Sequence, residues 1–91
     1  MIPEYTELLQ TLEEAEHNPE NDDLCKKLIT LTLEFDGAIK TKMVKEFGVK
    51  PWTIDGWQNG NETLPQSVIR PRMYRNIAAW IKEKTKDEKI S

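Results

Sequence analysis

Few residues in this chain are of types that perform covalent chemistry, and their spacing does not suit them to it. His17 is the sole histidine and Cys25 the sole cysteine, so neither a zinc set nor an intramolecular disulfide can be assembled, and no Cys/His or Ser/His pairing has motif context. Glu13 and Glu16 lie three apart on one helical face, the pattern of a solvated surface rather than of a catalytic dyad. His17 falls at a helix end, where its charge would favour the dipole, and Cys25 lies beside a leucine stripe as a small buried hydrophobe. No glycine-rich phosphate loop occurs. An enzyme, a cofactor and a metal site are therefore not expected.

What remains is chemistry of recognition. The stretch MVKEFGVKPWTIDGWQNG, residues 43–60, carries Trp52 beside Pro51 and Trp57 two residues before Asn59-Gly60. An indole offers a large apolar face and a single donor, so it can fill a core or meet a partner. The charges are unevenly spread around it. Net charge is -3, but residues 1–37 hold ten acids and two lysines, whereas residues 38–86 hold ten bases and four acids. That asymmetry is expected of a basic working surface attached to an acidic remainder.

The elements that must position these residues are all helices. A chain of 91 residues is one domain, 1–91, with one modest core. Tyr5, Leu8, Leu9, Leu12 and Ala15 recur at helical spacing over residues 4–17, and Asn18-Pro19 ends that helix. Asn21 or Asp22 caps a second helix whose stripe is Leu24, Leu28, Leu31 and Phe35, so that 4–35 forms a pair of acidic N-terminal helices. A third runs from Ile39 to Phe47 and stops at Gly48; a fourth opens on Pro51, whose missing N–H suits a first helical position, and ends at Asn59-Gly60. A polar loop reaches about Ser67, and a C-terminal helix over 71–86 presents Met73, Ile77, Trp80 and Ile81. The fold class is therefore all-α, a compact bundle of about five helices. No secretory signal and no membrane span are expected, and a lone cysteine fits a reducing cytoplasm.

Only Gly48-Val49-Lys50 separates the third and fourth helices, which predicts a helix-turn-helix over about 39–59. Val44, Val49, Ile54 and Trp57 then face inward. At about 100° per residue, Trp52, Asp55, Gly56 and Asn59 point roughly the opposite way. Trp52 is thus either exposed on the face such units lay into the DNA major groove, or laid over a neighbouring helix.

Val44-Lys45-Glu46-Phe47-Gly48-Val49-Lys50, followed by Thr53-Ile54, Trp57, Gly60 and Pro65, resembles the helix-turn-helix of phage-repressor-like (Cro/XRE-type) DNA-binding domains. The likeness covers about 25 residues of the chain. It implies a lambda-repressor-like bundle, a transcriptional regulator with double-stranded DNA as partner, a recognition helix over about 51–59, and a homodimer. Four positions depart from the pattern. Val44 replaces a small alanine, Lys50 replaces the usual capping serine or threonine, and Asp55 and Gly56 stand where polar or basic residues are common. Loss of the cap is worth about 1 kcal/mol, and a mid-helix glycine costs about 1 kcal/mol relative to alanine.

On this reading Lys50, Trp52, Asp55, Gln58 and Asn59 read bases, and Lys40, Lys42, Asn61, Arg70, Arg72 and Arg75 meet phosphates. Trp52 suits a thymine methyl or a sugar, and Asp55 is tolerable only where it accepts from a cytosine amino group. The arginines have an alternative in salt bridges to the acidic helices, and Asn59 and Asn61 in turn formation beside Gly60. The whole surface has one too: a protein-interaction module on the same fold, without DNA binding, working through Trp52 and the acidic N-terminal helices.

Overall fold

The computed structural model describes residues 3–89, with side chains over 5–85. Five helices follow in order: α1 (Pro3–His17), α2 (Asp22–Phe35), α3 (Ile39–Phe47), α4 (Pro51–Asn59) and α5 (Arg70–Lys89). The described residues contain no strand. The radius of gyration is 12.6 Å, close to the roughly 12 Å expected of a compact chain this long. No helix among the described residues is long and apolar enough to cross a membrane.

α1 buries Leu8, Thr11, Leu12 and Ala15 along one stripe. It ends where Asn18 turns back, its backbone N–H and side-chain amide both donating to Glu14 O. Asn21, not Asp22, caps α2: its Oδ1 accepts from Leu24 N at 3.1 Å. The two helices run antiparallel, with the Tyr5 and Phe35 rings 5.6 Å apart where the start of one meets the end of the other.

The core face of α2 differs from the expected leucine stripe. Cys25, Leu28, Ile29 and Thr32 are fully buried, while Leu24, Leu31 and Phe35 are only half-buried. α2 packs against α1, α3, α4 and α5, and its buried face keeps Leu28 of the stripe and adds Cys25, Ile29 and Thr32 beside it. Thr32 is tolerated there because its hydroxyl donates to Leu28 O at 2.7 Å.

α5 starts at Arg70 and continues to Lys89, one residue earlier and three later than its apolar periodicity predicts. Polar residues extend it because helical hydrogen bonding needs no apolar stripe once the helix is nucleated. Met73, Tyr74, Ile77 and Ile81 form its buried face. Trp80 is half-buried and packs on Phe47 of α3, their rings 5.8 Å apart. Burial pushes the Cys25 thiol and the Tyr74 phenol above their ordinary pKa values. Tyr74 Oη has no well-formed hydrogen bond; the weakly interacting thiol of Cys25 is its polar neighbour.

Candidate nucleic-acid interface

Gly48 decides how α3 and α4 meet. Its φ of 66° lies in the left-handed region, and its N–H donates to Val44 O at 3.1 Å, so the chain leaves α3 sharply. Val49 and Lys50 complete the turn, and Lys50 is extended at φ -87° and ψ 153° as the residue flanking α4. Its side chain makes no cap; its carbonyl accepts from Thr53 N instead, at 3.0 Å. Pro51 opens the helix, where a missing N–H leaves nothing unpaired.

α4 divides sharply between an inner and an outer face. Ile54 is fully buried and Trp57 is 4% exposed, whereas Trp52 is 65% exposed. Trp52 and Asp55 lie three residues apart, on one outward face. Two cations come to that face from neighbouring segments. Lys50 places its Nζ 5.9 Å from the centroid of the Trp52 ring. Lys40, at the start of α3, places its Nζ 2.6 Å from Asp55 Oδ1.

Gly56 is not on the outward face where helical spacing puts it. It is buried, and its carbonyl accepts from Glu62 N at 3.2 Å. A Cβ at this position would come within 2.7 Å of Glu62 Cβ. The glycine therefore admits the close approach of the loop after α4, not of a ligand. The physical reason is that the chain reverses at Gly60, with φ 84°, and folds back over the last turn of the helix.

One other expected contact residue is placed differently from its assigned role. Arg70 is a buried residue, only 4% exposed. Its Nε donates to Pro65 O at 2.8 Å, one guanidinium nitrogen to Pro19 O at 2.9 Å and the other to Asp22 Oδ1 at 2.7 Å. With three acceptors around it, this guanidinium is a structural tie between the α1–α2 turn and the loop before α5, buried away from any phosphate. Asn59 is exposed, and its Oδ1 accepts from Asn61 N at 3.0 Å, a contact that shapes the turn. Gln58 is half-buried beside it.

Lys42, Asn61, Arg72 and Arg75 are exposed. Arg72 has a further place in the structure. It lines a groove of about 380 Å³ between α3, α4 and α5, together with Phe47, Val49, Trp57, Pro65 and Ile69. Two apolar residues stand exposed at or beside the groove, Val68 at 77% and Ile69 at 49%.

No family model, curated protein or solved structure matches this chain.

Sequence reasoning missed the Lys40–Asp55 pair and the groove. Both join residues far apart in the chain, across a turn or a loop, where helical spacing carries no information. For Lys40 and Asp55 the one available signal is an acid among outward-facing residues close to a helix rich in lysine.

Proposed function

We propose that this chain is a sequence-specific DNA-binding transcriptional regulator of the phage-repressor type, in which α3, the Gly48 turn and α4 act as a helix-turn-helix and α4 enters the major groove. The observation that carries this reading is the opposed exposure of Trp52 and Trp57 on one short helix. A helix that anchors itself with one indole and holds a second in solvent presents a rigid apolar probe flanked by cations. In this role Trp52 covers a thymine methyl or a sugar. Lys42, Lys50, Asn61, Arg72 and Arg75 supply phosphate contacts, which set affinity and its salt dependence. One copy has few base-reading groups, so the regulator works as a homodimer on two half-sites in the cytoplasm. Binding, with no catalysed step, is its activity.

A mobility shift with a random duplex pool at low salt tests this reading. Retention at micromolar protein that weakens steeply as salt rises is the expected result. Absence of any retention at micromolar protein would end it.

A second reading is favoured by the groove. Phe47, Val49, Trp57, Pro65 and Ile69, with Val68 beside them, form an apolar surface of the kind found at protein contacts. On that reading the chain is a protein-interaction module that engages its partner there or through Trp52 and the acidic helices α1 and α2. Pull-down after nuclease treatment separates the two, because a protein partner survives the nuclease and a nucleic-acid bridge does not.

A further inference from the structure

We infer that the Lys40–Asp55 ion pair is a reader of one G·C base pair, an inference that rests on the DNA-binding reading above. Asp55 stands on the outward face of α4, three residues from the exposed Trp52, and would meet the groove beside it. A bare carboxylate there is repelled by the phosphates lining the groove. Lys40 Nζ, 2.6 Å from Asp55 Oδ1, cancels that charge and fixes the direction of the carboxylate. Neither side chain is sequestered by the contact, their exposures being 33% and 53%.

The remaining hydrogen-bonding capacity of the pair has a defined order. An ammonium carries three donors and a carboxylate about four acceptor sites, and the bond between them uses one of each. The pair thus shows solvent a donor and an acceptor side by side. In the major groove a G·C pair shows the matching order: guanine N7 and O6 accept, and cytosine N4 donates. Guanine O6 and cytosine N4 are joined by their own N–H···O bond and so lie about 2.9 Å apart. That spacing is close to the 2.6 Å between Lys40 Nζ and Asp55 Oδ1. Lys40 donates to O6 and Asp55 accepts from N4.

The orientation of the base pair follows as well. C·G and A·T reverse the order of acceptor and donor, placing like against like. T·A keeps the order but puts the thymine methyl where guanine has N7. Lys40 has a further donor for N7 and nothing to offer a methyl group.

The pair would also work as a brake on indiscriminate binding. Asp55 holds a cation that would otherwise go to any phosphate. The acceptor it presents finds a donor only where a cytosine amino group meets the carboxylate.

Selection of binding sites from random duplex DNA by the wild-type chain, Asp55→Ala and Lys40→Met tests the inference. Circular dichroism melts confirm that both variants fold, as expected for exposed positions. Wild-type sites are expected to contain one position at which G·C is preferred about tenfold or more over the alternatives. Asp55→Ala is expected to lose that preference at that position alone while binding random duplex more tightly. Lys40→Met is expected to lose the same preference and to bind random duplex no better than wild type. Wild-type sites whose preferences survive unchanged in Asp55→Ala, or a weakening spread evenly over all positions as a purely structural strut would produce, overturns the inference and leaves the DNA-binding reading standing. Failure of the wild-type chain to retain any duplex overturns both.

Discussion

Trp52 and Trp57 lie on the same helix, five residues apart, and end in opposite environments: one is 65% exposed and the other 4%. The division follows from the α3–α4 turn, which presses the Ile54 and Trp57 side of α4 into the bundle. Replacement of each tryptophan by alanine should therefore separate stability from binding. Trp57→Ala is expected to cost about 3–5 kcal/mol, as for a large core aromatic. Trp52→Ala should leave stability within about 0.5 kcal/mol of wild type and weaken duplex binding. Urea unfolding of the two variants checks this, and a Trp52 variant as unstable as the Trp57 one would show that the exposed indole is part of the core.

At Gly56 substitution by alanine should destabilise the protein, although alanine is the better helix former. The added Cβ would come within 2.7 Å of Glu62 Cβ and 3.2 Å of Glu62 N, so the loop after α4 must move. Overpacking of this kind costs about 1–3 kcal/mol, more than the roughly 1 kcal/mol gained from helix propensity. Combination with Glu62→Gly should recover part of the loss. A Gly56→Ala variant with a raised denaturation midpoint would mean that the loop does not seat there.

Arg70 ties together two loops that are distant in the chain through Pro19 O, Pro65 O and Asp22. Arg70→Met retains some of the packing and removes all three bonds. The expected loss is about 2–3 kcal/mol, since Pro65 O is left in a buried setting while the exposed Asp22 can return to water. Asp22→Asn should cost less than about 1 kcal/mol. Equal losses in the two variants would show that the ion pair, rather than the carbonyl bonds, carries the effect.

The buried Cys25 and Tyr74 make the fold sensitive to alkali. Burial raises both groups in the folded chain above their ordinary values of 9.0 and 10.0. The native state therefore keeps protons that the unfolded chain releases. Below pH 9.0 the contribution to stability is complete; as pH rises beyond that value the unfolded chain binds fewer protons and stability falls. Tyr74→Phe removes a hydroxyl with no well-formed partner, so stability at neutral pH should be unchanged or higher, and the alkaline decline shallower. Melting temperatures of the two proteins between pH 7 and 10.5 test this; parallel curves would exclude Tyr74 as a source of the decline.

How much of the molecule can be read from the chain depends on the range of the interaction. Helix ends are local events. Asn21, Gly48, Pro51 and Gly60 act on backbone groups within a few residues, so their sequence positions mark where α2, α3 and α4 begin or end. The inward direction of Ile54 and Trp57 is likewise contained in helical periodicity. The buried face of α2 is wider than its leucine stripe, taking in Cys25, Ile29 and Thr32 beside Leu28, because four helices pack against it and no single stripe reports how many neighbours each side of a helix has.

The sequence by itself determined that the chain is helical, where most of its breaks fall and which side of α4 is apolar, because these depend on periodicity and backbone chemistry over short spans. Only the tertiary structure decided that Arg70 is buried, that Gly56 lies under Glu62 and that Lys40 holds Asp55. Each of those outcomes rests on which segments come together in space, and a charged or small residue takes its role from the neighbour it meets there.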